Sequence, residues 1–555
     1  MAMQTDCDAL IVGAGLAGLV AACELADAGK TVWLIEQEGA NSVGGQAHWS
    51  LGGLFMIDTP EQRRWRIKDS PALALNDWLG SAAFDRPEDA WPKAVAEAFV
   101  DFASGPMRAW LHAMGMRWFP VVGWAERGGG HAGGHGNSVP RFHLTWGTGP
   151  GVVAPFAARL AEHEAHGRVA FCFRHQVDTL ITADGAVVGV AGSRLATDDV
   201  ARGARSSREV VGDFAYRAGC VIVAAGGIGG DHDKVRAHWP VERLGAPPAH
   251  MLSGVPHHVD GRMIDITARD GHAAIINADR MWHYTEGIAN WDPIWPAHGI
   301  RIIPGPSSLW LDADGARFEA PCLPGFDTLA TLKAIRARGH EYSWFVLDQT
   351  IIEKEFALSG SEQNPDMTAA SWRAVLANRL SKGGPPPVEA FKQHGADFIV
   401  ADTVDELAAG MNRVSGEGRI EAAALKRTLA DRDGQIDNGY GKDAQMAAIN
   451  NARGYAGDRL FRVAKPHRML DPAKGPLIAV RLHILTRKTL GGLHADLDGR
   501  ALDATGQPVP GLYAVGEAAG FGGGGYHGYN ALEGTFLGGC LFTGRRAGQH
   551  AATVC

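Results

Sequence analysis

The chain has 555 residues, too long for one small module at roughly 150 residues per domain, and its 53 Lys and Arg against 61 Asp and Glu leave a formal charge of −8. That balance offers no basic field for a phosphate backbone, so nucleic acid is excluded as a partner. The 73 glycines are nearly twice what an average usage near 7% would give. They follow no G-X-Y period, and 46% hydrophobic residues with 16 Trp supply a buried core, so their placement carries the functional information.

Seven cysteines, Cys7, Cys23, Cys172, Cys220, Cys322, Cys540 and Cys555, are scattered without metal-like spacing. They read as reduced thiols of a cytoplasmic protein with no disulfide framework. The apolar run from Ala9 to Cys23 is preceded by Asp6 and Asp8, where a secretory leader carries Lys or Arg. It is also short and glycine-broken for a membrane span, which leaves a buried strand and helix.

In chain order, Ala9 to Val12 predicts a strand, Gly13 to Gly18 a turn, Leu19 to Ala28 a helix ended by Gly29, and Thr31 to Ile35 a second strand. The segment from Arg141, then VAFCF and TLITADGAVVGV, predict sheet, with Asp184 and Gly185 as a hairpin turn. VIVAAGG at 221–227 returns to the parallel-strand pattern. From 279 to 447 the composition shifts: Trp282, Trp291, Trp295, Trp310 and Trp344 cluster ahead of helical stretches such as TAASWRAVLANRL and TVDELAAGM. GQIDNGYGKD marks the far boundary, after which PLIAVRLHIL and GLYAVG resume strands. The glycine-rich stretch 126–137 is a mobile-loop candidate.

Gly13, Gly15 and Gly18 form G-x-G-x-x-G between a strand and a helix, with Glu36 closing the next strand. The first glycine permits the tight turn, the second admits a pyrophosphate to the backbone, and the third lets helix and strand pack closely. The helix amino end offers unpaired N–H groups to the phosphates, and Glu36 can accept from ribose hydroxyls. This spacing does not separate FAD from NAD.

Residues 9–36 followed by GGQAHWSLGG (44–53), CVIVAAGGIGGD (220–231) and PGLYAVGEAAGFGGGG (510–525) resemble flavoproteins of the fumarate reductase and 3-ketosteroid Δ1-dehydrogenase superfamily. GNSVPRFHLTWGTGPGVVAPF (136–156) and ITARDGHAAIINA (266–278) agree, so the resemblance covers most of the chain outside 279–440. It implies FAD as cofactor, held by Gly13, Ala14, Gly15, Leu16, Ala17, Gly18, Glu36, Gln37, Gly44, Gly45, Gln46, Ser50, Gly52, Gly53, Val177, Ala225, Gly226, Gly516, Glu517, Asn530, Ala531 and Leu532. Gly516 and Glu517 match the pair that the family places near the ribityl chain. The resemblance also implies hydride transfer at the flavin coupled to proton transfer at the neighbouring carbon, beside a carbonyl.

Such chemistry needs carbonyl-polarising donors and an acid or base within hydrogen-bond reach. GGGGYHGYNALEG (522–534) is similar to both branches: His527 and Asn530 match the fumarate reductase pattern and Tyr526 the ketosteroid one. Ala531 stands at the fumarate reductase arginine, removing a bidentate carboxylate clamp. Phe326 lies near where the ketosteroid branch carries a Tyr. MWHYTEG (281–287) resembles a His-Pro-Thr segment, which makes His283 and Tyr284 pocket donors. The catalytic candidates are therefore Tyr526, His527, His283 and Tyr284. Arg141 and His143 read as packing residues first, as do the Trp side chains. His131 and His135 lack the further ligands of a defined metal site, and no metal is assigned.

The reading is α/β: a Rossmann-like, glutathione-reductase-type FAD-binding domain (1–278 and 448–555) with an inserted α+β capping domain (279–447) and substrate between them. The expected function is an FAD-dependent dehydrogenase or reductase acting on a carbon-carbon bond beside a carbonyl, with an apolar, ketosteroid-like substrate. The alternatives are a fumarate reductase-like enzyme and a flavin-binding electron carrier with a degenerate site. The small-molecule substrate, the electron donor or acceptor and the oligomeric state are not specified further.

Overall fold

A computed structural model describes residues 5–129, 134–380 and 383–555. Strands Cys7–Val12, Val32–Glu36, Val169–Phe173, Val210–Val223 and Pro508–Ala514 make the parallel part of an eight-stranded sheet, with Cys7–Val12 between Val32–Glu36 and Val210–Val223. Arg500–Leu502 adds an antiparallel edge. His175–Ala183 and Ala186–Leu195 meander antiparallel onto Val210–Val223. Their turn is the expected one, with Asp184 at φ 50° and Gly185 at φ 78°, the two positive values of a type I′ hairpin.

From Ala9 onward the first strand is covered on both faces, which is why Ala9, Leu10, Ile11 and Val12 are all apolar. The helix behind it runs Leu16–Asp27, starting three residues before the expected Leu19 because Gly15 takes the cap position inside the glycine motif. Gly13 (φ +106°) turns so tightly that a Cβ would stand 2.6 Å from the Ala224 carbonyl oxygen, and one on Gly18 would stand 2.1 Å from the Gly13 oxygen. The C-terminal helix Thr535–Val554 lies along Leu16–Asp27. Gly544 and Gly548 allow that approach, since Cβ atoms there would stand 2.4 and 2.8 Å from the Ala17 and Ala21 oxygens.

One expectation is corrected at this helix end. Cys220 and Cys555, separated by 335 positions in the sequence, form a disulfide with Cα atoms 6.1 Å apart. Only the packing of the last helix against the sheet brings the two together, so spacing in the sequence carries no trace of the pair.

The second sheet is centred on Leu477–Thr489, which pairs with Met281–Ala289, Tyr342–Asp348, Phe398–Ala401 and Leu252–Ser253. Leu309–Leu311, Gly299–Ile303 and Ala357–Leu358 complete it. Its core is Trp310, Trp344, Phe345, Phe391 and Leu407, closed by helices including Thr328–Ala337 and Val404–Ser415. The central strand comes from outside 279–447, because a strand-forming composition does not say which sheet a strand joins. It ends at Thr489, whose N–H donates to Glu517 Oε1 (2.9 Å) and whose hydroxyl accepts from Ile228 N (2.8 Å). The two sheets thus meet at the wall of one cleft. Among the described residues, no helix is long and apolar enough to cross a membrane.

Candidate active site

An open cleft runs from the glycine turn to the second sheet. At its nucleotide end the helix Leu16–Asp27 begins at Gly15 with no side-chain cap, so its first-turn N–H groups remain available to an anion. Glu36 is fixed by the backbone: Oε2 accepts from Ala14 N and Oε1 from Glu38 N, each at 2.9 Å. Burial pushes its carboxyl up, against those two bonds. Farther along, Gln46 donates to Glu517 Oε2 (2.5 Å) and accepts from Lys488 Nζ (2.6 Å). Gly226 sits at φ +81°, a conformation that favours glycine there. An amide-lined helix end, a ribose-competent carboxylate and glycine walls fit an FAD-sized dinucleotide.

Of the residues expected to hold the cofactor, Gly13, Gly15, Leu16, Ala17, Glu36, Gln37, Gly45, Gln46, Ser50, Gly53, Val177, Ala225, Gly226, Gly516 and Glu517 line this cleft. Ala14 acts from behind by holding Glu36. Gly18, Gly44 and Gly52 shape the turns, with Gly44 (φ +96°) against Val153 and Gly52 (φ +81°) against Thr148. Asn530, Ala531 and Leu532 are not on the cleft wall; the closing segment presents Glu533 and Gly534 instead, followed by Phe536, Leu537 and Cys540.

At the inner end stands Tyr284, the one catalytic candidate of the four that lines the cleft. The Arg301 guanidinium lies 3.9 Å over its ring and donates from Nη1 to Glu533 Oε1 at 2.5 Å. Glu286 Oε2 is 3.9 Å from Arg301 Nε. All four side chains are buried, and Arg301 Nε and Nη2 find no acceptor among the described residues. Burial, then the Glu533 carboxylate, push the Tyr284 phenol up, with Arg301 opposing. Burial likewise lifts Glu286 to about 7.

The other three candidates turn away. Tyr526 donates to the Thr535 carbonyl, and its ring packs on Trp78 and Phe99. His527 Nε2 meets Thr535 Oγ1 at 2.7 Å, its ring stacked on Trp78. Helices Pro71–Ala82 and Thr535–Val554 enclose this loop, and burial alone drives the His527 imidazole well down. His283 projects from the strand opposite to Tyr284, as alternation requires. It packs on Trp239 with ring centroids 4.9 Å apart and is pushed by burial to about 3.

Arg141 and His143 are packing residues: Arg141 pairs with Asp69 (2.8 Å) and Asp77 (2.6 Å), and His143 bonds Thr59 Oγ1 at 2.8 Å. Phe326 is off the cleft wall. Trp282 and Trp295 are buried and Trp291 is exposed. His131 lies outside the described residues; His135 bonds Glu126 at 2.9 Å.

Arg301, Arg487, Lys488 and Glu533 are functional candidates that pattern reading passed over. Arg301 had a signal: a lone arginine inside the apolar strand GIRII, where a buried charge demands a partner.

The FAD binding domain family matches residues 8–537. A KsdD-like steroid dehydrogenase of Mycobacterium tuberculosis is 60% identical over 545 residues, covering 98% of this chain and 95% of that one. Among solved structures, the 3-ketosteroid delta1-dehydrogenase of Sterolibacterium denitrificans, in complex with 1,4-androstadiene-3,17-dione, superposes with a TM-score of 0.69 at 17% identity over 99% of both chains. A flavocytochrome c3 fumarate reductase in its open conformation gives 0.63 at 18% identity, over 99% of this chain and 78% of that one. At those identities the shared property is the fold, which agrees with the expected FAD-binding architecture. The chain belongs to the FAD binding domain family, as an FAD-dependent oxidoreductase of the group that holds the KsdD-like steroid dehydrogenases.

Proposed function

We propose that this protein makes or breaks a carbon-carbon double bond beside a carbonyl in an apolar, ketosteroid-like substrate bound at the inner end of the cleft. The observation that carries the reading is Arg301, buried with two N–H-bearing nitrogens lacking acceptors, next to a tyrosine and open to the cofactor cradle. Bound FAD supplies the hydride acceptor or donor.

The chain's own groups supply the rest. Nε and Nη2 of Arg301 hold the substrate carbonyl oxygen and stabilise the negative charge it gains as the neighbouring carbon loses its proton. The Tyr284 oxygen takes that proton while its own passes to the Glu533 carboxylate; in the reducing direction the proton runs back to carbon. Glu533 already balances the Arg301 charge at 2.5 Å, which suits a neutral carbonyl rather than a carboxylate at the reacting end. Apolar walls from Phe142, Ile303, Phe521 and Phe536 exclude water from it.

Anaerobic mixing tests this. A 3-ketosteroid should bleach the oxidised flavin, or a conjugated ketosteroid should reoxidise the reduced flavin. If neither occurs across a panel of ring-saturated and unsaturated ketosteroids, the reading is wrong.

A further inference from the structure

The strand Leu477–Thr489 slips register against Met281–Ala289: Lys488 faces Trp282 and Thr486 faces His283, which leaves Arg487 as the extra residue of a bulge. A bulge breaks strict alternation and re-aims side chains. Arg487 and Lys488, adjacent in sequence, therefore both line the cleft. Lys488 is engaged by Gln46 at 2.6 Å.

Arg487 is not matched in this way. The charges around it are accounted for elsewhere: Arg301 is paired with Glu533, and Glu517 with Gln46 and Thr489 N. Glu362, whose carboxyl burial lifts to about 7 against the charge of Arg487, forms no ion pair with it within 4.0 Å, nor does any other carboxylate among the described residues. Among the described residues its side chain makes one hydrogen bond, a long 3.4 Å contact to Ser359 Oγ. Yet the side chain is held in place. Its stem lies over Gly254, where a Cβ would stand 3.2 Å from both Cγ and Cδ. A half-buried, bedded guanidinium with an empty fork is a preformed carboxylate receptor.

We propose that Arg487 binds an anionic group of the substrate, so that the enzyme's substrates are ketones bearing a carboxylate remote from the reacting carbonyl. The inference rests on the ketosteroid-like reading above and specifies its substrate class. Tyr284 faces Leu485 across the strands, and Leu485 and Arg487 stand two residues, about 7 Å, apart along their own strand. One elongated ligand can meet both. The reacting end takes a neutral carbonyl at an ion-paired arginine, and the other end takes an anion at an unpaired one.

The test uses the FAD-loaded protein and a 3-oxo-4-ene steroid carrying a C17 or C22 carboxylic acid, beside its methyl ester. Dissociation constants come from the perturbation of the flavin spectrum. The acid should bind at least about tenfold more tightly than the ester, the range of a charge-assisted bond. Arg487→Gln should erase that preference while flavin content and ester affinity stay unchanged. Equal binding of acid and ester by the unaltered protein overturns the Arg487 proposal alone, and that comparison does not depend on the variant folding. An R487Q variant that loses flavin, or weakens acid and ester alike, also overturns it, placing Arg487 with the cofactor or the fold. If neither ligand perturbs the flavin, the ketosteroid-like reading itself has failed, and this inference with it.

Discussion

Glu286→Gln probes the buried charge cluster behind the Arg301 guanidinium. Glu286 is 1% exposed, and burial lifts its carboxyl from 4.5 to about 7 despite Arg301. Between those values the folded chain keeps a proton that the unfolded chain has released. The stability linked to this group is therefore fully present below pH 4.5, falls as pH rises toward 7, and levels off above. At about 1.36 kcal/mol per pH unit across that window, the loss amounts to about 3 kcal/mol. A glutamine is neutral throughout, so the E286Q variant should gain on the unaltered protein by about that amount from pH 4.5 to 8. Urea unfolding of both proteins at saturating FAD, at pH 5, 6, 7 and 8, measures the difference curve. Parallel curves would refute the reasoning, as would a variant that loses ground with rising pH, the mark of an ionised Glu286 serving as a partner of Arg301.

Tyr284→Phe should slow flavin reduction by substrate by about 10² or more, the usual worth of positioned proton transfer, with flavin content unchanged; stopped-flow rates within threefold of the unaltered protein would remove Tyr284 from the chemistry. Tyr526→Phe should leave that rate unaltered and cost about 1 kcal/mol of stability for the lost bond to the Thr535 carbonyl; a tenfold slower reaction would return Tyr526 to the site. Gly13→Ala, with φ +106° and a Cβ 2.6 Å from the Ala224 oxygen, should purify with little flavin, read as flavin absorbance per chain, and full occupancy would contradict the close-approach argument. Thiol titration in denaturant should find five free cysteines before reduction and all seven after, whereas seven before reduction would rule out the Cys220–Cys555 bond.

The cofactor end was legible because its physics is local. Gly13 to Gly18 must turn within six residues and Glu36 must follow one strand later, so type and spacing suffice to place them. The inner end depends on strand pairing across hundreds of residues. Tyr284 faces Leu485 and not some other partner because Leu477–Thr489 joins the second sheet, and its apolar pattern would serve either sheet equally well. Tyr526 and His527 show the converse. A loop motif located them within a few residues of the cleft, but whether a side chain points in or out depends on helices Pro71–Ala82 and Thr535–Val554 closing over the loop, and no motif encodes that.

Ala531 and Arg301 are best understood together. Where the fumarate reductase pattern carries an arginine in the closing loop, this chain has a buried alanine at 0% exposure, and the guanidinium of the reacting end arrives from the strand Gly299–Ile303 instead. The two placements differ in charge balance as well as in origin. An unpaired arginine attracts a carboxylate, whereas Arg301 meets Glu533 at 2.5 Å and Glu286 at 3.9 Å, so a second anion beside it would face two carboxyl groups. What remains attractive there is a neutral acceptor able to use the two vacant nitrogens, and that acceptor becomes more strongly held as charge moves onto its oxygen. Preferential binding of the charged transition state over the neutral ground state is what lowers a barrier. On the proposed function, moving the arginine from the loop to the strand would change its task from clamping a substrate carboxylate to stabilising a carbonyl oxygen during proton transfer.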